Sequence, residues 1–579
     1  MSTTTSPPQH VLREYAFLAD GHRGALIGPR GDVAWLCTPR WDSPAVLASL
    51  VGGRGSYAVT PRDPFVWGGY YEPGSLVWRS RWTTTSTVIE CREALATPGD
   101  PHRAVLLRRI EAVDGRAAVS ITLDLRADFG RAGLRTRRDD HGRWLFDGDG
   151  VQARWSGLPD ARPDGDGILH ATVEIPAGGH LDLVLEVGDH PLGAPVDPER
   201  AWRDTERYWR DAVPDFSRSA APRDSAHAYA VLRGLTTPGG GMVAAPTLGL
   251  PERAEAGRNY DYRYVWLRDQ AYAGIAVAVD EPLPLLDEFV SVTTARVLEH
   301  GGDLAPAYAV DGSLPPEQSR LHLPGYPGGA DVVGNWVRQQ FQLDALGELL
   351  QLYAVAAGHD HLGIDDRRAV QVLIDLIGRR WNEPDAGVWE LDNAWWTHSR
   401  LACVAGLRRI EPFVPAGSRH EVTALADLIL AETTRRCLRP DGAWLQRPDE
   451  PGLDAALLLP PVRGALSPSD PRSVATLRAI EADLTQDGYL YRYRKDDQPL
   501  GSAEGAFLMC GFAMSLAQLA AGDEVAAYRW FERQRAATGP ANLLAEEFDV
   551  SQRQLRGNLP QGFVHALLLE SSQRLGAVG

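Results

Sequence analysis

Two periodicities divide the chain. Val119, Ile121, Leu123 and Leu125 alternate with Ser120, Thr122 and Asp124, and a period of two predicts a half-buried strand. Leu181, Leu183, Leu185 and Val187 repeat the pattern. Asp114-Gly115, in Val113-Asp114-Gly115-Arg116, lies between two such runs and carries a hairpin signal, because glycine accepts positive φ without steric cost. Residues 1–190 are therefore expected to form antiparallel β-structure.

From about Ala201 the apolar spacing changes to three and four. Within 336–358, Phe341, Ala345, Leu346, Leu349, Leu350 and Tyr353 fall on one helical face. Similar segments begin near Asp224, Ala271, Leu285, Asp365, Trp395, Ser418, Ser473, Glu504, Asp523 and Gln561, with a weaker one near Asp454. About a dozen helices joined by loops bury their stripes best against one another, and a toroid of six hairpins is one closed solution. The proline-rich stretch that begins at Asp189 reads as a connector with one helix near 201–212. The expected units are a β-domain over 1–190, a helix-bearing linker over 191–223 and a helical domain over 224–579.

The net charge of −17 argues against nucleic acid, whose phosphates call for clustered Lys and Arg. Cys37, Cys91, Cys403, Cys437 and Cys510 are scattered, odd in number and free of any C-x-x-C pair, so neither a disulfide framework nor a zinc knuckle is indicated. No run suits a secretory signal or a membrane span, and the expected setting is the cytoplasm. No phosphate loop or G-x-S-x-G elbow is present. His359-Asp360-His361 lacks further ligands in its surroundings, so no metal and no cofactor are expected.

Three stretches hold the candidate chemistry. RNYDYRYVWLRDQ, over 258–270, sets Tyr260, Tyr262, Tyr264 and Trp266 at alternate positions before Arg268-Asp269. It reads either as a buried extended segment with a structural ion pair or as an aromatic wall for a sugar ring with a polar clamp. GVWELDNAWWTH places Glu390 after Trp389 and close to Trp395, Trp396 and His398; apolar neighbours keep a carboxylic acid protonated. His398 reads as a hydrogen-bonded structural histidine. NLLAEEFD offers Glu546 and Glu547, between which side-chain chemistry alone does not choose. Two carboxyl groups suit glycosidic cleavage, one protonating the leaving oxygen and the other activating water or attacking carbon.

These stretches, with WLCTPRWDSPAVLASLVGG, GNWVRQQFQLDALGELL, LYRYR, EGAFLMCGF and GNLPQGFVHALLL in the same order, resemble glycoside hydrolase family 15, the inverting glucoamylase and bacterial trehalase group. The resemblance covers nearly the whole chain. It implies an N-terminal antiparallel β-sandwich followed by an (α/α)6 barrel, with the site at the mouth formed by helix-connecting loops. It further implies Glu390 as general acid and Glu546 as general base. Arg268 and Asp269 would hold the terminal glucose, Tyr262 would stand near the nucleophilic water, and Trp266, Trp389 and Arg492 would belong to the sugar-binding wall. The loop GYPGGADVVGN over 325–335, and THSR with VAGLRRI after the acid, depart from the family's usual pattern and leave the choice of substrate open.

The expected activity is release of β-glucose from a small α-glucoside such as trehalose, a short maltooligosaccharide or an isomaltose-type sugar. A disaccharide phosphorylase and a catalytically inactive sugar-binding protein stand as alternatives. The expected partner is a small carbohydrate, with neither nucleic acid nor membrane.

Overall fold

In the computed structural model, which describes residues 9–253, 257–448, 450–495, 498–502 and 504–578, the period-two part of the chain forms two eight-stranded antiparallel sheets. Val119, Ile121 and Leu123 are buried while Ser120 is exposed, as the alternation requires. The sheets face each other. Trp155 of one donates its indole N–H to the Tyr57 hydroxyl of the other at 3.0 Å. Arg108, wholly buried, crosses the same gap to the carbonyls of Tyr57 and Gly31 at 2.9 and 2.6 Å.

The Asp114-Gly115 hairpin is not formed. Gly115 does turn the chain, with φ +75°, but the strand Arg103–Asp114 already has Val88–Leu95 and His180–Gly188 on its two edges. The next strand, Ala117–Asp124, therefore crosses to the facing sheet and pairs with Ser56–Pro61 and Leu169–Ile175. A local turn signal fixes the bend; edge occupancy decides the partner.

Among the described residues thirteen helices follow: α1 Pro198–Ala212, α2 Pro222–Leu235, α3 Leu267–Ala276, α4 Leu285–His300, α5 Leu343–Gly358, α6 Ile364–Arg380, α7 Thr397–Ile410, α8 Arg419–Cys437, the single turn α9 Leu459–Val462, α10 Pro471–Asp483, α11 Leu508–Ala520, α12 Glu524–Arg535 and α13 Gly562–Gly576. Helix α1 starts with Pro198 after Asp197, whose carboxylate accepts from the N–H groups of Glu199 and Arg200, the usual N-cap chemistry. It lies on the β-domain, where Trp202 stacks beneath Arg92 and the Thr205 hydroxyl accepts from Thr97 N at 3.1 Å.

The remaining twelve helices form two rings. Helices α3, α5, α7, α9, α11 and α13 pack each on the next, and α13 returns to α3. The inner ring is buried almost all round: every residue of α3 is buried, Arg268, Asp269 and Gln270 included. Outer helices bury one stripe, as in α8 with Val422, Ala426, Ile429, Thr433 and Cys437. The α5–α7 crossing is close enough to require glycine. A Cβ at Gly347 would overlap the Ala402 backbone, and one at Gly406 would overlap the Gly347 carbonyl.

The segment 336–358 is not one helix. A short 3-10 turn, Trp336–Gln339, precedes α5, and Phe341 lies in the connection. No helix among the described residues is long and apolar enough to cross a membrane.

The two domains share polar contacts at the segment that the sequence singled out. Arg263, wholly buried, holds Asp261 through two bonds of 2.8 and 2.7 Å and donates to the Ser43 carbonyl of the β-domain at 2.8 Å. Trp35 donates to the Pro246 carbonyl at 2.8 Å. The loop over 325–335 also leans on this joint, with Gly334 N donating to Asp261 and the Tyr326 hydroxyl to the His10 carbonyl.

Candidate active site

One pocket at the loops connecting the helices is lined by Tyr262, Trp266, Arg268, Asp269, Trp389, Glu390, Arg492 and Glu546, so all eight residues singled out in the sequence meet there. The segment 258–266 reaches it as extended chain, paired at Val265–Trp266 with Ala307–Tyr308 and bridged at Asp261 to Leu248, with further backbone bonds to Ala244, Ala245, Thr247 and Gly249. Tyr260, Tyr262 and Trp266 line the pocket, whereas Tyr264, at the same alternate spacing, does not. Tyr264 is buried elsewhere, with its hydroxyl on Asp261 at 3.2 Å. Tyr260 and Tyr262 stack at 6.3 Å between ring centroids, and Tyr262 meets Trp266 edge to face at 5.7 Å.

Glu390 sits on one wall. Its φ of +55° is uncommon for a residue with a side chain and costs on the order of 1–3 kcal/mol. The turn is held by bonds from Glu390 N to Gly387 O and from Leu391 N to Ala386 O, inside a bridge between Asp385 and Ala394. Its Oε1 accepts from Trp266 Nε1 at 2.7 Å and from the Arg268 guanidinium at 3.3 Å. The tryptophans beside it in sequence face other partners. Trp389 donates to Asp454 at 2.8 Å, while Trp395 donates to Asn382 and lies between Arg400 and Arg436. The indole on the Glu390 carboxyl is that of Trp266, which is remote in sequence.

Glu546 stands on another wall, 5 % exposed. Both of its oxygens accept from the Tyr262 hydroxyl at 3.1 Å. Burial pushes its carboxyl well above the usual range, Glu252 adds to the shift, and Arg492 opposes it. Glu547, its neighbour in sequence, does not line the pocket. It accepts from Gly505 N at 2.7 Å and from Arg492 at 3.3 Å and belongs to a short strand, Glu547–Asp549. The alternation of a strand turns one glutamate into the pocket and the other into its frame.

Arg268 also donates to Gln342 at 3.0 Å. Asp269 is 1 % exposed, its Oδ1 has no hydrogen-bond partner among the described residues, and burial raises its carboxyl to about 7 against the pull of Arg268. Arg492 is spread over Glu504, Glu547 and Glu252 and stacks on Phe507 at 4.6 Å.

Sequence reasoning missed Glu252, Trp336 and Gln561 in the lining. Glu252 and Gln561 sit in irregular backbone with no periodic signal, and Trp336 opens a 3-10 turn. His359 and His361 make ordinary contacts, to the Ala278 carbonyl and to Asp287.

The comparisons agree with this architecture. The model of "Glycosyl hydrolases family 15" matches residues 226–573, and that of "Trehalase-like, N-terminal" matches residues 7–209. The chain is 29 % identical to a trehalase of Mycobacterium tuberculosis, covering 97 % of this chain and 89 % of the relative. It is 28 % identical to trehalase 1 of Sulfolobus acidocaldarius, covering 96 % and 98 %. A crystal structure of a bacterial glucoamylase complexed with acarbose shares the fold with a TM-score of 0.75 at 14 % identity, over 100 % of this chain and 96 % of that one. With its helical domain matched from end to end and its β-domain matched beside it, the chain belongs to glycosyl hydrolase family 15.

Proposed function

We propose that the protein hydrolyses a small α-glucoside, trehalose foremost, with inversion at the anomeric carbon. The observation that carries this reading is the paired setting of Glu390 and Glu546 in one pocket, each carboxyl held by a different donor. The trehalase relatives, aligned over nearly their full length, favour trehalose over longer substrates.

In this mechanism a terminal glucose enters with its ring against Tyr262 and Trp266, while Arg268 and Asp269 hold its hydroxyls. Glu390 protonates the glycosidic oxygen. Glu546 takes a proton from a water on the opposite face of the ring, and the water attacks C1 as the bond to the leaving sugar breaks, giving β-glucose and a free second sugar. Inversion asks for about 6.5–9.5 Å between the two carboxyl groups so that water fits. The edge-to-face rings of Tyr262 and Trp266 span the interval between the bonds to Glu546 and Glu390. The buried thiols of Cys37, Cys91, Cys403 and Cys510 support a cytoplasmic setting, and so a substrate that is imported or made inside the cell.

Incubation with trehalose, maltose and isomaltose, read by NMR within the first minutes, tests the proposal. Trehalose should be cleaved fastest, with one glucose of each pair appearing first as the β-anomer. Initial α-anomer from both halves would exclude inversion, and a strict need for phosphate with a glucose phosphate product would make the enzyme a phosphorylase.

A further inference from the structure

The inner ring holds a second polar cluster that the chemistry above does not use. Asp344 and Glu348 stand one turn apart on α5, and His398 projects from α7. They are 0, 2 and 3 % exposed. Each offers a ligand atom, and the three atoms lie within 4.8 Å of one another. Glu348 Oε1 accepts from the Tyr272 hydroxyl at 2.7 Å. Glu348 Oε2, both oxygens of Asp344 and Nδ1 of His398 have no hydrogen-bond partner among the described residues.

Three features of this arrangement point to an ion. Carboxyl groups that shared a proton would approach to about 2.5–2.7 Å, yet these groups sit close together without bonding to one another. Ligand atoms at about 2.0–2.2 Å from a common centre are separated by up to roughly twice that length, which small side-chain rotations reach from the present spacing. The charge is also out of balance. The field of Arg268 reaches Glu390, Asp269, Asp344 and Glu348 together, and that of Arg463 reaches Glu348, but the bonds of Arg268 go to Gln342 and Glu390 and those of Arg463 to Glu570. Buried carboxylates without a counter-charge are strongly disfavoured.

We propose that Asp344, Glu348 and His398 bind one first-row divalent cation of the Mn²⁺ or Zn²⁺ class. Two carboxylates and an imidazole suit such an ion, whereas Mg²⁺ and Ca²⁺ favour all-oxygen sites. Facing helices that each contribute inward side chains are a recurrent way to build a metal site. The bound ion cancels two buried negative charges and ties α5 to α7 at their close crossing. No motif announces it, because Glu348 and His398 are fifty positions apart in the chain.

The test uses the full chain, made in medium supplied with Mn²⁺ and Zn²⁺ and purified without chelator or metal-affinity resin. Elemental mass spectrometry should find about one ion per chain, and anomalous diffraction at that metal's edge should place it among the three side chains. Dialysis against chelator should lower the Tm, and Mn²⁺ or Zn²⁺ alone should restore it. His398→Ala and Asp344→Asn should each cut the metal content at least tenfold. A variant of the exposed His102, Asp189 and His190 group, His102→Ala with His190→Ala, should retain it. Wild-type content below a tenth of an ion per chain, with no Tm response to either ion, overturns the proposal. So does an anomalous peak at a surface site only. Should a core variant fail to fold, the anomalous map of the wild type decides.

Discussion

Glu546 and Glu570 lie in the same barrel and are buried to nearly the same degree, at 5 % and 0 % exposed, yet their carboxyl groups shift in opposite directions. Glu570, on α13, is gripped by Arg463 after α9, with one bond of 2.6 Å, and by Arg574 at 2.9 Å, and these cations hold it down at about 2. Among the described residues the Glu546 carboxyl accepts only from a tyrosine hydroxyl, and burial carries it upward. Depth alone therefore does not fix a charge state; the partner does. At Glu570 the anion is matched by cations, whereas at Glu546 the match is withheld from a group that must exchange a proton.

The largest expected effects break the pocket side of this comparison. Glu390→Gln and Glu546→Gln should each lower kcat by about 10²–10⁴-fold, and for Glu546→Gln the Tm should be unchanged or raised, because removing a poorly matched buried acid removes a cost. Steady-state kinetics beside calorimetry would check both halves, and near-normal turnover in either variant would remove that residue from the mechanism.

Breaking the frame should do the reverse. Glu570→Gln leaves Arg463 buried without its counter-charge, a loss of about 3–5 kcal/mol seen as a lower denaturation midpoint, while activity per folded molecule persists. Arg263→Ala should behave similarly by stranding Asp261, and it should also raise KM, since Tyr262 lies between those two residues in the chain. The sign with pH follows for Glu570. Its carboxyl is depressed in the fold, so its contribution is complete above the unfolded value of about 4.3 and is lost as pH falls from there towards 2.

Smaller effects sharpen the comparison. Trp266→Phe removes the 2.7 Å donor to Glu390, and a hydrogen bond to a charged group is worth about 1.5–3 kcal/mol, or roughly 10–100-fold in kcat/KM. Since Glu546 acts as the anion and its carboxyl is raised, the acid limb of kcat/KM should lie above the ordinary carboxylate range. Tyr262→Phe deletes the donor that favours the anion and should move that limb about one pH unit further up. A limb that stays in place would mean that another group controls it.

Much of this was legible in the sequence because the governing signals are periodic. The two-residue alternation at Val119 to Leu123 and the helical stripes of α4 to α8 report burial directly. Six of the eight candidate residues, Tyr262, Trp266, Arg268, Asp269, Trp389 and Glu390, stand out because their two stretches are dense in aromatic and charged side chains, while Arg492 and the choice of Glu546 over Glu547 rest on the family resemblance. Signals that depend on remote pairing were not legible. The Asp114-Gly115 bend gave no clue to which strand would follow it into which sheet. The indole on Glu390 comes from position 266 and not from the adjacent tryptophans. Glu252 reached the pocket through irregular chain, where no period exists to read.

Closure of the inner ring joins α3 to α13, elements separated by most of the helical domain. A chain emerging from the ribosome therefore has no finished cavity until its final inner helix docks, and contacts of such long sequence separation form slowly. Shortened products that lack α13 would keep an intact β-domain and five inner helices around an open seam, an apolar surface suited to chaperone capture rather than to turnover.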